Sequence, residues 1–397
     1  MPATVDPATV GTVGRWAMLA VSTGAQAAAA VTIHGPAFLI PVLHERRGLS
    51  LATAALVAAA PMFGVMLTLV AWGWVVDRRG ERFSLLAGLS ATFVAGIAST
   101  RVHSTVLLAL ALFVAGAAAA STGSASGRVV VGWFPARQRG LAMGIRQTAQ
   151  PLGVGLAAIT IAVVADRHGI STALLVPTVA AGVAAIAVAL VVLDPPRPAR
   201  KEGTAPNPYA ADSFLARVHG VSVLLVVPQF LVWTFALVWL IDDRDWSPAA
   251  AGAMVALAQV FGALSRIAVG ALSDRVGSRI TVLRWVAVAA AATMALLGVT
   301  AGLDWAVSVV LMVVATMVTV ADNGLAFTAV AERAGPFWSG RALGVQNTAQ
   351  YLTAAVCAPV AGAAITHWGY PTAFALGTLA PLIALPLVPR NEAAFTD

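Results

Sequence analysis

Charged residues and cysteine are scarce in this chain. Only 10% of its 397 residues are Asp, Glu, Lys or Arg, well below the roughly one quarter that soluble domains carry. The single cysteine, Cys357, excludes an intramolecular disulfide. The sequence also lacks a nucleotide-binding loop, metal-ligand spacing and a nucleophile motif, so we expect no catalytic residues, no metal and no cofactor.

Apolar residues take the place of the missing charges. They make up 59% of the chain, and the mean hydropathy is +0.86. Runs of about 20 apolar residues recur along the whole length, and each can cross a hydrocarbon core of roughly 30 Å. Lipid cannot satisfy backbone hydrogen bonds, and these runs lack the alternation of barrel strands. The pattern therefore predicts an all-α polytopic protein of the cell membrane, surrounded by lipid.

We predict twelve transmembrane helices with both termini on one side. Seventeen of the 24 basic residues fall on that side, five on the other side and two within spans. The positive-inside rule therefore places both termini in the cytoplasm, and topology explains the net charge of +7 without a nucleic-acid partner. The predicted spans are residues 16–43, 51–76, 83–101, 104–132, 141–165, 171–193, 218–241, 248–273, 280–302, 305–330, 341–366 and 371–389.

The longest polar segment follows the sixth predicted span. It reads "DPPRPARKEGTAPNPYAADSFLARVH" (194–219) and is rich in proline and charge, which is typical of a flexible linker. We therefore predict an N-terminal six-helix bundle over 1–193, a cytoplasmic linker over 194–217 and a C-terminal six-helix bundle over 218–397.

Two polar patterns in the first half of the chain recur in the second half. "GWVVDRRGER" (73–82) and "GALSDRVGSR" (270–279) agree at Gly, Asp, Arg, Gly and Arg, 197 residues apart. "RGLAMGIRQTAQ" (139–150) and "SGRALGVQNTAQ" (339–350) agree 200 residues apart. Chance similarity of low-complexity helices would not reproduce polar positions, so the halves are predicted to be a duplication.

The first repeated pattern has a physical role in either copy. Glycine lets neighbouring helices approach closely, and an aspartate at a helix end can pair with arginines and accept from backbone donors at a helix N-terminus. Such contacts can hold one state of a two-state carrier; topology anchoring is the alternative, but it explains only the arginines. The predicted gating or structural residues are Gly73, Asp77, Arg78, Arg82, Gly270, Asp274, Arg275 and Arg279.

The pattern Gly-x-x-x-Asp-Arg-x-Gly-x-Arg after the second and eighth spans resembles the signature of the major facilitator superfamily. The resemblance covers essentially the whole chain. It implies two pseudo-symmetric six-helix bundles and a secondary carrier, not an enzyme, that works by alternating access around a site near the midplane. We expect a monomer.

Three charged residues lie inside predicted spans. At 1.5 Å per residue, Arg146 lies about 10 Å, Arg266 about 12 Å and Asp322 about 15 Å from the cytoplasmic face. A charge facing lipid costs a few kcal/mol, so we expect them to face a wet cavity or one another. Arg266 either binds an anionic substrate or pairs structurally with Asp322, and Asp322 either couples transport to protons or belongs to that static pair.

The sequence around Arg266 favours an anionic substrate. "RIAVGALSDRVG" (266–277) carries an arginine four residues before the signature glycine. It resembles the eighth span of the oxalate–formate and monocarboxylate porter branches, where that arginine contacts the substrate carboxylate. Those monocarboxylate porters also carry an aspartate one turn earlier, whereas "FGALS" (261–265) has none. Proton coupling is therefore assigned to Asp322.

Amide side chains accompany these charges in the second repeated pattern. Arg146 has Gln346 as its counterpart, so the charge is not a structural need that both halves share. Arg146 is predicted to serve substrate recognition or gating, with a structural ion pair as the alternative. The amides of Gln147, Gln346, Asn347 and Gln350 can hydrogen-bond a small solute or bridge helices.

These features predict a transporter that moves a small organic anion, similar to a monocarboxylate, together with protons. The alternative is a drug–proton antiporter that exports lipophilic compounds. "AQPLGVGLAA" (149–158) partly resembles the Gly-Pro stretch of antiporter branches. It lacks the glycine before Pro151 and the Gly-Gly pair after it.

Overall fold

A computed structural model describes residues 10–196 and 206–390, and every regular element in these two ranges is helical. The predicted cytoplasmic termini and residues 197–205 of the predicted linker lie outside the described residues. Eleven segments of the described chain are long and apolar enough to span a membrane. They are α1 (Thr12–Arg47), α2 (Leu51–Arg79), α3 (Glu81–Arg101), α4 (Thr105–Trp133), α5 (Ala136–His168), α6 (Ile170–Val191), α7 (Phe214–Asp242), α8 (Ala249–Val276), α9 (Arg279–Gly302), α10 (Val307–Ala334) and the segment Ser339–Leu387.

The last of these segments contains two helices. Its 49 residues would extend roughly 70 Å as one helix, more than twice the thickness of a bilayer core. Gly369 interrupts it with φ 78° and ψ 167°, a conformation that glycine adopts at little cost. We therefore divide it into α11 (339–368) and α12 (370–387). With this division, the twelve predicted spans agree with the structure to within a few residues at each end.

Six of the described helices are broken, which the sequence analysis did not predict. A 3-10 stretch interrupts α1 at Gly35–Leu39, and single turns interrupt α4 at Ala120, α5 at Gln147 and Thr148, α6 at Leu174, α10 at Val320 and Ala321, and α12 at Gly377 and Thr378. Each break releases carbonyl and amide groups that an unbroken helix would pair internally. Those groups need other partners in an apolar environment.

The chain divides into two compact units that do not follow the chain order. Unit 1 comprises Met1–Phe134, Thr148–Ala205 and Ala334–Thr348, and unit 2 comprises Pro135–Gln147, Pro206–Arg333 and Ala349–Asp397. The first part of α5 therefore groups with the C-terminal half, and the first part of α11 with the N-terminal half. The predicted domain boundaries at 193 and 218 stay a prediction.

Each unit has its own apolar core. In unit 1, buried side chains of α1, α2, α4 and α5 meet, among them Leu39, Leu112 and Ile161. In unit 2, the buried indole of Trp239 on α7 packs edge-on against Phe374 on α12, with ring centroids 5.5 Å apart. Beyond these cores, polar contacts hold the parts of α5 and α11 that join the other half of the chain.

Paired glycines let those parts approach closely. In unit 2, a Cβ atom on Gly270 of α8 would lie 2.1 Å from the carbonyl oxygen of Gly140 on α5. In unit 1, a Cβ atom on Gly73 of α2 would lie 2.3 Å from the carbonyl oxygen of Gly340 on α11. Since backbone atoms fill the space on both sides, only glycine fits at these four positions. Gly73 and Gly270 are the first residues of the repeated pattern.

Gly270→Ala should destabilise the protein, because its added methyl group would push two backbones apart. Overpacking of this kind costs about 1–3 kcal/mol. Gly252→Ala on the same helix is the matched control, since nothing lies within 4 Å of a Cβ atom there, and helix propensity alone favours alanine. Thermal unfolding of the purified protein measures both, and equal transition temperatures for the two variants would contradict the close approach.

Candidate functional site

The aspartate of the first repeated pattern binds the start of α11. The Asp77 carboxylate accepts from the backbone N–H groups of Gly340 (2.8 Å) and Arg341 (3.1 Å). It also accepts from Nε of Arg341 (2.9 Å) and lies 3.4 Å from Nη1 of Arg128. The first N–H groups of a helix have no internal partner and carry a partial positive charge, so a carboxylate satisfies both needs.

The aspartate of the second copy makes the corresponding contacts in unit 2. The Asp274 carboxylate accepts from the backbone N–H groups of Gly140 (2.9 Å) and Leu141 (2.8 Å) on α5. Arg279, which is fully buried, donates to it at 2.5 Å and lies 3.5 Å from Glu332. The duplication therefore places one carboxylate against one backbone segment in each unit.

The arginines of the repeated pattern differ between the copies. Arg82 donates to the carbonyl of Ala189 (2.7 Å), whereas its counterpart Arg279 is buried against Asp274. Arg78 is exposed, with its guanidinium 4.0 Å from the centre of the Trp74 ring, and Arg275 is also exposed. The aspartates and glycines therefore keep one role in both copies, and the arginines do not.

Arg266 on α8 lies between the breaks of α5 and α10. Its Nη1 donates to the carbonyl of Gln147 in the α5 break (3.3 Å), and its Nε donates to the carbonyl of Val320 in the α10 break (3.4 Å). These carbonyls end the half-helices Ala136–Arg146 and Val307–Thr319. A cation at helix C-termini is favoured by the exposed carbonyls and by the helix dipole. One guanidinium therefore donates to a carbonyl at each of these two breaks.

Asp322 begins the second half of α10, which runs Asp322–Ala334. Its carboxylate is fully buried and lies beside the backbone amides of Asp322 and Asn323, where the helix dipole favours a negative charge. Its charge interacts with that of Arg266. Both side chains are among the described residues, and they form no direct ion pair. The predicted static pair is therefore not formed: Arg266 donates to the carbonyl of Val320 at the α10 break, and neither carboxylate oxygen of Asp322 has a hydrogen-bond partner among the described residues.

Arg146 ends the first half of α5 and is fully buried in unit 2. Its Nη1 donates to Oε1 of Gln147 (2.8 Å), and its guanidinium lies 5.4 Å from the centre of the Phe327 ring. The carbonyl of Gln147 meanwhile accepts from Arg266. Gln147 therefore links the two buried guanidinium groups through its side chain and its main chain.

A chain of amide side chains begins at Asn323, the residue after Asp322, and crosses three helices. Asn323 donates to Oε1 of Gln229 on α7 (3.0 Å) and accepts from Nε2 of Gln350 on α11 (2.9 Å). Gln350 also donates to the hydroxyl of Ser222 on α7 (2.7 Å). The sequence analysis missed Gln229 and Ser222; the signal for Gln229 was an amide directly after Pro228 in an apolar run.

The structure divides the predicted substrate-binding residues between the units. Arg146, Gln147, Arg266 and Gln350 belong to unit 2, together with Asp322, the predicted proton-coupling residue, and the amide chain. Gln346 and Asn347 belong to unit 1. There Gln346 is buried, and Asn347 donates to the carbonyl of Leu343 (2.8 Å).

Comparisons with known proteins agree with this architecture. The family model of the Major Facilitator Superfamily matches residues 20–358. The chain belongs to the major facilitator superfamily. An uncharacterized MFS-type transporter of Mycobacterium tuberculosis is 47% identical over 387 residues, which cover 97% of this chain and 86% of the relative. The chain is therefore a multi-pass membrane transporter of this superfamily and not an enzyme.

Solved structures of the superfamily have the same fold at low sequence identity. The proton:xylose symporter XylE, bound to 6-bromo-6-deoxy-D-glucose, has a TM-score of 0.76 at 14% identity, covering 94% of this chain and 95% of its own. FucP in the outward conformation has a TM-score of 0.74 at 13% identity, covering 93% of this chain and 97% of its own. The human organic anion transporter MFSD10 has a TM-score of 0.70 at 16% identity, covering 94% of this chain and 99% of its own. At these identities the likeness establishes the fold alone.

Asp274→Asn should destabilise this superfamily member by about 3 kcal/mol, because it leaves the buried Arg279 guanidinium with only the more distant carboxylate of Glu332 as a partner charge. Asp166→Asn is the control, since Asp166 pairs with Arg46 and both side chains are exposed, and such pairs contribute at most about 1 kcal/mol. Thermal unfolding in detergent measures the difference. A variant at 274 as stable as the variant at 166 would refute the structural importance of the contact.

Proposed function

We propose that this transporter carries a small organic anion together with a proton by alternating access. The observation that carries the proposal is the pair of guanidinium groups, Arg146 and Arg266, buried in one unit and linked through Gln147. Burying even one charge in a membrane is costly, and such residues generally mark substrate or ion pathways.

The balance of charge in unit 2 supports an anionic substrate. Arg146, Arg266 and Asp322 are all at least nine-tenths buried, and as two cations and one anion they leave one positive charge. The carbonyls of Gln147 and Val320 offset part of it as helix C-terminal dipoles. A carboxylate of the substrate would neutralise the remainder and accept charge-assisted hydrogen bonds from the guanidinium groups.

The same balance provides a route to proton coupling through Asp322. Protonation removes the one negative charge of the set, which makes the site more positive and strengthens anion binding. By linkage, a bound anion strengthens proton binding by the same factor. Proton and anion therefore favour each other's binding, which is the condition for symport rather than antiport.

The repeated aspartates suit the gating step of this proposal. Asp77 and Asp274 hold the first parts of α11 and α5 through backbone N–H groups, and these contacts can break without leaving a charge in lipid because basic side chains lie at each site. Loss of both contacts would release the two segments from the helices they bind in this state. Alternating access requires such a reversible contact.

A drug–proton antiporter is the second candidate, favoured by an apolar groove in unit 2. The groove has a volume of about 800 Å³ and is lined mainly by apolar residues of α7, α11 and α12, among them Val227, Leu352, Val356 and Trp368. A lipophilic cation would suit this groove but not the neighbourhood of Arg266. Stabilisation by lipophilic drugs, and not by carboxylates, would favour this candidate.

Arg266→Ala should weaken binding of small carboxylates by roughly 10- to 100-fold, the usual effect of losing hydrogen bonds to a charged group. Thermal shift of the purified protein against a panel of small carboxylates measures the affinity. Arg46→Ala, which removes a half-exposed arginine paired with Asp166, is the control and should bind as the parent does. Unchanged affinity in the variant at 266 would refute the anion site.

Asp322→Asn should make uptake into proteoliposomes independent of an imposed pH gradient while leaving substrate exchange intact, because the amide cannot take up or release a proton. Asp304→Asn, at an exposed position that pairs with Arg244, is the control and should keep the pH dependence of the parent. Ordinary pH-driven uptake in the variant at 322 would rule out this residue as the proton site.

A further inference from the structure

Unit 1 contains an apolar groove between α5 and α6, with α1 as its floor. The groove has a volume of about 880 Å³, and every residue that lines it is glycine, alanine, valine or leucine. Leu152 and Leu156 belong to the α5 wall, Leu175 and Val183 belong to the α6 wall, and all four side chains are exposed. The groove is therefore an open, wholly apolar surface of a membrane-spanning unit, as contact with lipid chains requires.

Small residues on α1 create the depth of this groove. Gly24, Ala25 and Ala28 lie at its floor, and nothing lies within 4 Å of a Cβ atom at Gly24. Along α6 the groove runs from Leu175 to Ala187, which is about 18 Å at 1.5 Å per residue. One leaflet contributes about half of a hydrocarbon core of roughly 30 Å. The groove is therefore long enough to hold one acyl chain.

Arg167 stands at the predicted outer end of the groove. It follows Leu152 by 15 residues and Leu156 by 11, and at 3.6 residues per turn these spacings place the three side chains on one face of α5. Arg167 is exposed and has no ion-pair partner among the described residues, whereas the adjacent Asp166 pairs with Arg46 at 3.1 Å. The end of the groove therefore carries an open positive charge.

The second half of the chain contains a counterpart of this groove, and the corresponding end is acidic. The groove of unit 2 lies among α7, α11 and α12, and it is lined by His367, which follows Arg167 by the 200 residues of the repeat. Asp242 and Asp243 at the end of α7 act electrostatically on Tyr370, three residues after His367. The repeated position therefore does lie at a groove, and only the copy in unit 1 has an open arginine there.

We infer that the groove of unit 1 is a binding site for an anionic phospholipid, with one acyl chain along the groove and the phosphate at Arg167. A guanidinium donates two parallel hydrogen bonds to a phosphate, and the apolar walls accept the chain. A zwitterionic headgroup adds an ammonium group, which Arg167 repels. The lipid site is separate from the proposed anion site, because its residues belong to unit 1 and Arg266 belongs to unit 2.

Native mass spectrometry of the purified protein tests this site directly. Phosphatidylglycerol and phosphatidylcholine with identical acyl chains are titrated, and the lipid that stays bound is counted. We expect one retained phosphatidylglycerol, bound roughly 5-fold more tightly than phosphatidylcholine, the usual effect of one arginine near a membrane surface. Equal affinity for the two lipids, or retention of neither, overturns the proposal.

Gly24→Leu tests the groove itself. The added side chain enters open space at the floor, so the protein should keep its unfolding temperature in detergent while both lipids lose their retained molecule. Gly155→Leu is the matched control, because Gly155 is an exposed glycine of α5 that also has nothing within 4 Å of a Cβ atom and does not line the groove. Lipid retention in the variant at 24 equal to that in the variant at 155 overturns the groove as the site.

Arg167→Gln tests the headgroup contact at an exposed position. We expect the affinity for phosphatidylglycerol to fall to that for phosphatidylcholine, with phosphatidylcholine binding unchanged. Arg101→Gln is the control, because it removes an exposed arginine at the end of α3 that does not line the groove, and it should keep the preference of the parent. The same loss of preference in both variants would mean a general effect of basic surface charge and overturn the assignment of the phosphate to Arg167.

Discussion

The backbone N–H and C=O groups of a membrane helix must find hydrogen-bond partners within the protein. The breaks in α5 and α10 remove partners that an unbroken helix would supply. The carbonyls of Gln147 and Val320 are released from hydrogen bonds within their helices, and lipid offers no donor in exchange. Arg266 supplies donors to both, and Asn323 adds a second donor to Val320. The positions of Arg266 and of the amide chain therefore both follow from the need to supply hydrogen-bond donors to these carbonyls. Burial of Arg266 costs free energy, but its guanidinium stabilises two helix ends and also provides a positive charge.

The same requirement explains why carboxylates occupy the repeated aspartate positions. Asp77 and Asp274 each accept from two consecutive backbone N–H groups. They reach those groups only because the glycine pairs Gly73 with Gly340 and Gly270 with Gly140 bring the backbones together. Glycine and aspartate in the pattern thus depend on each other: larger side chains would move the donors away, and without the carboxylate the close approach would leave donors unpaired.

Hydropathy and the repeat predicted the spans, the glycine contacts and the aspartates as acceptors of backbone donors. They could not predict the break of α10, because Val320 and Ala321 are apolar and continue the hydropathy of that helix without interruption. The carbonyls at both breaks accept from Arg266, which lies 54 residues away in the chain from Val320 and 119 from Gln147. At Gln147 a local cause is also present, because Pro151, four residues later, has no N–H group to donate to that carbonyl. Gln346 and Asn347 likewise carry no local sign that they belong with unit 1. Sequence periodicity reports local burial, whereas these features depend on which distant helix supplies the hydrogen bond.

The duplication distinguishes features that both halves of the chain share from features that occur in only one half. Gly144 contacts the backbone at Arg266 in unit 2, and its counterpart Gly344 makes the same contact at Leu69 in unit 1. Asp322 begins the second half of α10, whereas Ser121 begins the second half of α4. The neutral counterparts of the three buried charges are Gln346, Leu69 and Ser121. Glycine contacts and aspartate acceptors are thus kept in both copies, as a reversible contact in each unit would require. The charges occur in one copy, so they are not part of the scaffold that the two halves share, and the proposed role in substrate recognition requires them in only one copy.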